Sequence, residues 1–231
     1  MPSALTRFAQ SSLGRRLRPW IEDGAVRQVA LTVLIKRTVN FGRVTWLGKP
    51  IWQNVTDAWL LQESIVDGDV DFVVECGTNR GGSAYYMANI FDLLGRGKVL
   101  TIDVEKLSTI EHPRVEFLTG SSTDPAIVEV VRSRIEASKP NHVLVILDSD
   151  HSERHVAREM DLYAEFVNVG DYMHVQDGCI DQLWIFRGSR PGPLRAIESF
   201  LRKDHRFVVD EERSKRYLVG HSPKGWLRRV R

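Results

Sequence analysis

The sharpest chemical signal in the chain is Asp148-Ser149-Asp150-His151, which leaves the unbroken apolar run VLVIL at 143–147. Carboxylates and an imidazole at the end of a buried run are costly to desolvate unless a cation or a substrate uses them. A second run, 172–176, ends in Gln176-Asp177-Gly178, with Asp177 29 positions beyond Asp148. On neighbouring parallel strands the two aspartates stand side by side, and hard oxygen ligands on adjacent strand ends suit Mg2+. Asp150 and Ser152 have a plain structural use as caps of a following helix. For Asp148, His151 and Asp177 taken together, the functional reading is the stronger one.

A separate set of residues reads as a ligand cradle. Glu75-Cys76-Gly77-Thr78-Asn79-Arg80-Gly81-Gly82-Ser83 joins an apolar run to a helical pattern. Small residues let the backbone pass close to a ligand, and a helix N-terminus offers unpaired N–H groups. The spacing is ExGxxxGGS rather than GxGxxG, and Glu75 would repel a dinucleotide pyrophosphate while attracting the cationic end of an amino-acid moiety. A tight turn with no ligand is the bland alternative. Asp103 closes the next run, 26 positions after Gly77; a carboxylate there can accept hydrogen bonds from both hydroxyls of a ribose, in NAD and S-adenosylmethionine alike. Gly120-Ser121-Ser122 suits close contact with a base edge.

These residues need strand ends to hold them. Strand candidates are 71–75, 98–103, 115–118, 143–147 and 172–176, alternating with helical patterns, the signature of βαβ units and a doubly wound, mostly parallel α/β sheet. Ligands then bind outside the carboxyl ends of the strands. Ala84, Met87, Ile90 and Phe91 mark one helix; Asp124-Pro125 opens a second, Val156, Met160 and Tyr163 mark a third ahead of Gly170, and Pro193 opens a fourth. Candidates 206–209 and 216–219 have no helix between them, which predicts an appended C-terminal antiparallel hairpin with 226–230 as a tail. Residues 1–67 read as an N-terminal helical extension or lid, and 68–231 as a single compact domain.

The chain has 231 residues, 32 Lys+Arg against 30 Asp+Glu, 42% apolar and 27% charged residues. That balance excludes general disorder and gives no overall case for nucleic-acid binding, although the segment from Arg202 onward is locally basic. Two cysteines, Cys76 and Cys179, make neither a disulfide framework nor a zinc pattern. A reducing, cytoplasmic setting is expected; the best apolar run, 29–35, is too short to cross a bilayer. An amphipathic helix at 25–36 is expected to pack on its own core or a partner subunit. Trp52, Trp59, Trp184 and Phe186 are candidates to line an acceptor pocket, with core the better reading for Trp59. His112, His142, His155, His174, His205 and His221 show no partner pattern and read as surface or packed residues. The 179–192 segment reads as a mobile loop over the rim.

Several separated motifs, VVECGTNRGGSAYYMANI, GSSTDPAI, ILDSDHSERHVAREM, GDYMHVQDG and PGPLRAIESF, resemble the cephalosporin hydroxylase-like family of S-adenosylmethionine-dependent methyltransferases. Within it they look most like rhamnosyl O-methyltransferases of bacterial glycolipids and sugar-bearing natural products. The likeness runs from Gly48-Lys49-Pro50-Ile51-Trp52 to Pro223-Lys224-Gly225-Trp226-Leu227, roughly residues 40–230. It implies a Rossmann-like class I methyltransferase with a seven-stranded sheet. Glu75, Gly77, Gly81, Gly82 and Ser83 would hold the methionine part of the cofactor, Asp103 its ribose, and Ser121 and Ser122 would lie near its adenine. Asp148 matches a magnesium ligand and His151 the general base. The family ends its fifth strand in Glu-Asp, both metal ligands, where this chain has Gln176-Asp177. A Gln carbonyl can still ligate magnesium, with one negative charge fewer and weaker binding. The implied reaction is O-methylation of a sugar hydroxyl, with homo-oligomerisation through the N-terminal helices and no nucleic acid or transmembrane segment. Alternatives are a metal-independent O-methyltransferase on another hydroxylated small molecule and a catalytically impaired cofactor-binding partner protein. An NAD oxidoreductase is disfavoured by the missing GxGxxG.

Overall fold

A computed structural model of the protein describes residues 43–217 and 220–231, with 26–37 and the single positions Ser11, Leu13 and Gly24. After helix α1 (Arg27–Arg37) come a two-residue hairpin, β1 (Thr45–Trp46) and β2 (Lys49–Pro50), and helix α2 (Val55–Asp67). The main sheet is built from β3 (Phe72–Cys76), β4 (Lys98–Asp103), β5 (Val115–Thr119), β6 (Val143–Leu147), β7 (Tyr172–Val175), β8 (Phe207–Val209) and β9 (Trp226–Arg229). Its order is β5-β4-β3-β6-β7-β9-β8, parallel from β5 to β7, with β9 antiparallel to both β7 and β8. The order reverses at β3, so the cleft above β3 and its neighbours is the switch point where such sheets bind ligands.

Alternation along each strand divides the core into two layers. Phe72, Val74, Cys76, Val143, Val145 and Leu147 face α4 (Pro125–Ser138), α5 (Glu153–Tyr163) and α6 (Pro193–Lys203) through Val131, Met160 and Ile197. Val73, Leu144 and Ile146 face the other way, against Leu61 and Ile65 of α2 and Met87 and Phe91 of α3 (Gly82–Leu94). Residues 44–67, grouped by sequence with the N-terminal extension, therefore share an apolar cluster with the central strands.

Helix starts follow their local chemistry. Asp124 caps α4, its side chain accepting from the Ala126 N–H, and Pro125 sits at the first helical position. Pro193 opens α6 as its sequence indicated.

The C-terminal hairpin differs from expectation. β8 pairs with Trp226–Arg229, not with 216–219, and α7 (Glu211–Lys215) lies in the connection; Leu218 and Val219 fall outside the described residues. Arg228 and Arg229 made 226–230 look like a tail, yet Trp226 and Leu227 are fully buried and Trp226 stacks on His174 at 4.0 Å. Burial of two large side chains, not local polarity, sets the strand.

The 179–192 segment, read as a rim loop, folds into two 3₁₀ turns, at Gly178–Asp181 and Trp184–Ser189. Arg190 ties it with hydrogen bonds to the Ile180 and Leu183 carbonyls. Helix α1 buries Leu31 against Cys179 and Leu183 of this segment and leaves Val29 and Val33 exposed. The N-terminal positions on which the other expected helices fall lie outside the described residues. No helix of the described residues is long and apolar enough to cross a membrane.

Candidate active site

The carboxyl ends of β3, β4, β6 and β7 open into a cleft of about 620 Å3. The ladder continues just past the strands and fixes what stands there: Gly77 N–H donates to the Ile102 carbonyl, Asp148 N–H to Cys76 and Gln176 N–H to Leu147, at 2.8, 2.8 and 3.0 Å. Gly77, Gly82, Ser83, Asp103, Ser122, Asp148, His151 and Asp177, eight of the residues singled out by sequence, all line this cleft. Glu75, Gly81, Ser121 and Gln176 do not line it.

The glycines have a structural cause that the cradle reading missed. A Cβ on Gly77, whose φ is +104°, would lie 2.1 Å from the Asp148 carbonyl oxygen; on Gly82 it would lie 1.9 Å from the Pro50 carbonyl oxygen. The close approach they permit is therefore chain to chain. It brings the start of the Asp148 loop and the β2–α2 connection against the cleft floor.

Glu75 also departs from expectation. Its carboxylate is buried beneath the floor, where it accepts from the Thr101 hydroxyl at 2.6 Å and bonds Ser83, rather than facing a ligand's ammonium. Burial pushes its pKa up to about 7 against the pull of those two hydroxyls. Thr78 in turn donates to Thr101 at 2.7 Å, so the hydroxyls form a short chain. Asp103 accepts from Asn79 N–H at 2.7 Å and lines the cleft. Ser122 and Ser149 both donate to one oxygen of the fully buried Glu159, at 2.5 and 2.6 Å, and His155 sits 3.4 Å from that oxygen. The hydrogen bond to Glu159 raises the His155 pKa.

Across the cleft, Asp148, His151 and Asp177 bring one ligand atom each to within 4.8 Å of one another. Gln53 donates to Asp148 at 3.0 Å. His151 Nε2 lies 3.3 Å from one Asp177 oxygen and His221 Nδ1 lies 3.5 Å from the other. Desolvation, then the charges of Asp177 and Glu75, push the Asp148 carboxyl well above the usual carboxylate range. At Asp177 desolvation works the same way but is outweighed by the hydrogen bond from His221 and the nearby imidazoles, which hold it low. Two facing carboxylates at a cleft wall are the oxygen donors a hard divalent cation takes, so Asp148 and Asp177 fit magnesium. Gln176 is buried and outside the cleft lining, apart from the set in which the resemblance placed it.

Three contributors escaped sequence reading. Gln53 and Asp57 come from the β2–α2 connection and α2, and His221 from the loop before β9; Asp57 accepts from the His221 N–H at 2.6 Å. His221 and His155 thus serve the cleft wall, where sequence treated them as packing or surface. No periodicity or spacing ties these positions together. Of the aromatic candidates, Trp52 lines the cleft; Trp59 is 58% exposed, not core.

Strand order, the cleft at the switch point and its acidic and glycine-rich walls define a class I methyltransferase fold. The sequence model of the Rhamnosyl O-methyltransferase/CmcI family matches residues 39–230, and the chain belongs to that family. It is accordingly an S-adenosylmethionine-dependent O-methyltransferase. Among curated relatives, the rhamnosyl O-methyltransferase of Mycobacterium bovis is 37% identical over 191 residues, covering 80% of this chain and 78% of the relative. The Mycobacterium leprae protein of the same name is 32% identical, covering 79% and 82%. Among solved structures, CmcI with Mg and SAM superposes with a TM-score of 0.65 at 17% identity, covering 83% of this chain and 78% of CmcI. MycE, a methyltransferase of mycinamycin biosynthesis, with Mg and SAH superposes at 0.52 and 18% identity, covering 87% of this chain and 55% of MycE.

Proposed function

We propose that this chain methylates a hydroxyl of a deoxysugar, rhamnosyl or a close relative, borne by a glycolipid or natural product, with His151 as general base and Mg2+ held by Asp148 and Asp177. The observation that carries this is the convergence of Asp148, His151 and Asp177 on one wall of a cleft whose other wall holds Gly77, Asp103 and Ser122. The names of the mycobacterial relatives support the sugar, and the magnesium in the CmcI and MycE structures supports the cation.

Methyl transfer from a sulfonium is an in-line displacement, and the donor is already activated. The protein must place the acceptor oxygen and take its proton. A sugar hydroxyl is too weak an acid to ionise freely at neutral pH; a bound divalent cation would lower its pKa by direct coordination. His151 is partly exposed at the cleft, and its Nε2 is turned to Asp177 at 3.3 Å, leaving Nδ1 to accept the proton. Asp177, held low and therefore charged, stabilises the imidazolium that forms. His221 on its other oxygen keeps that carboxylate in place. Gly77, Ser83, Asp103 and Ser122, which line the rest of the cleft, bind the donor. Position 176 favours one second reading, transfer without a cation: its Gln lacks the charge of the family's Glu and lies outside the cleft lining.

The test is transfer to a rhamnoside, followed as a gain of one methyl group by mass spectrometry. His151→Ala is expected to lower the rate by about 10²–10⁴-fold with S-adenosylmethionine affinity unchanged. A wild-type rate in that variant removes the base, and no methylated rhamnoside from the wild-type enzyme removes the sugar.

A further inference from the structure

Sequence spacing shows no zinc pattern, yet the fold brings a sulfur, a nitrogen and an oxygen donor together behind the cleft wall. Cys179, His221 and Asp177 each offer a ligand atom within 4.8 Å of the others, although Cys179 and His221 are 42 positions apart. We propose that these three residues form a second cation site, taking a borderline-soft divalent metal, Zn2+, and sharing Asp177 with the Asp148–His151 set.

The donors differ in kind between the two sets. Asp148, Asp177 and His151 offer two carboxylates at an open cleft, the preference of a hard cation. Cys179 and His221 are buried and offer a thiol and an imidazole, ligands that favour zinc over magnesium. Three protein ligands leave a fourth tetrahedral position, and Asp177, facing the cleft, gives the route in.

The site is also held in shape before any metal arrives. Cys179 N–H donates to the His221 carbonyl at 2.9 Å, joining the two loops directly. The buried Asp57 pins His221 through its N–H at 2.6 Å. Gly225 lets the same loop pass so close to β7 that a Cβ would lie 2.2 Å from the Val175 carbonyl oxygen. Asp177 itself adopts φ +54°, and its carboxylate lies 3.3 Å from His151 Nε2 and 3.5 Å from His221 Nδ1. Ordering cost on binding is therefore small, and the thiol proton is released to solvent as the thiolate meets the metal.

One carboxylate serving two donor sets has a consequence that rests on the magnesium reading: zinc behind the wall draws on the Asp177 oxygens used in front of it, so Zn2+ should inhibit transfer competitively with Mg2+. Occupancy of the rear site does not rest on that reading.

The experiment uses the reduced full-length protein and metal alone, with no acceptor present. Calorimetry with Zn2+, and titration with Co2+ as an optical reporter, should give one site with a thiolate-to-cobalt charge-transfer band and proton release to the buffer. Cys179→Ser should abolish the band and weaken Zn2+ binding by about tenfold or more; His221→Gln should weaken it similarly. His151→Ala should leave the band in place, and unchanged S-adenosylmethionine affinity in Cys179→Ser verifies its fold. No charge-transfer band in the wild-type protein, a band that survives Cys179→Ser, or a band lost with His151→Ala overturns the proposal. Because none of these readouts involves turnover, they stand apart from failure of the sugar reading.

Discussion

The two walls of the cleft are built by different means. On the β3–β4–β5 side, position is set by backbone: glycines at 77 and 82 permit close chain packing, and Asp103 is held by a main-chain N–H. On the β6–β7 side, position is set by side chains gathered from distant segments: Gln53 on Asp148, His151 and His221 on Asp177, and Asp57 on the His221 loop. A wall made of main chain tolerates no added volume. One made of opposed charges depends on titration and on what neutralises them. A cofactor common to many enzymes suits the first construction, and proton removal from a particular acceptor suits the second.

Five substitutions would break or sharpen that contrast, beginning with the largest effect. Glu75 sits under the floor between the walls, with a folded-state pKa of about 7 against an unfolded value of 4.5. The folded state then binds more protons between those values, so stability is highest below pH 4.5, falls as pH rises toward 7 and is level beyond. Glu75→Gln should remove that fall, gaining on the order of 3 kcal/mol relative to wild type at pH 8 and little at pH 4. Urea denaturation at the two pH values checks it, and an equal difference at both would show that the carboxylate keeps an ordinary pKa.

Next, Asp103→Ala should weaken S-adenosylmethionine binding by roughly 10–100-fold, the worth of hydrogen bonds to a charged group, while leaving cation binding at the opposite wall unchanged. Calorimetry reads both; a loss of both would show the two walls acting as one. Gly82→Ala should cost about 1–3 kcal/mol through collision with Pro50. Gly95→Ala, where nothing lies within 4 Å, should show only the left-handed backbone cost of about 1–2 kcal/mol. Thermal melts read both costs, and the magnesium dependence of the rate distinguishes the two: Gly82→Ala should loosen the Gln53 contact and raise the magnesium requirement, and Gly95→Ala should not. The smallest effect is expected from Gln176→Glu, which should leave magnesium activation near the wild-type value because position 176 is buried outside the cleft lining. A tightening of roughly tenfold would bring that position within the metal's reach and contradict this placement.

Much of this was legible in the chain. The five parallel strands follow from apolar runs of 143–147 type, and Asp103, Asp148 and Asp177 fall at strand ends because each run stops at a charge. Glycines were legible as close-approach points, but what approaches was not: a sequence does not show that Pro50 returns over Gly82. Trp226 and Leu227 were hidden by the arginines after them, and Trp59 looked like core although its indole faces solvent. Gln53, Asp57 and His221 had no local pattern at all, since their contacts span 95, 164 and 44 positions and exist only once β6, β7 and β9 are side by side.

The most direct test of the division between walls is the initial rate of methyl transfer to a rhamnoside by Asp148→Asn, saturated with S-adenosylmethionine and magnesium. Removing one charge from the acceptor wall should cut the rate at least about a hundredfold, with donor affinity held at the wild-type value. An undiminished rate with the donor bound normally would contradict the account, because the chemistry would then run without the carboxylate on which that wall is centred.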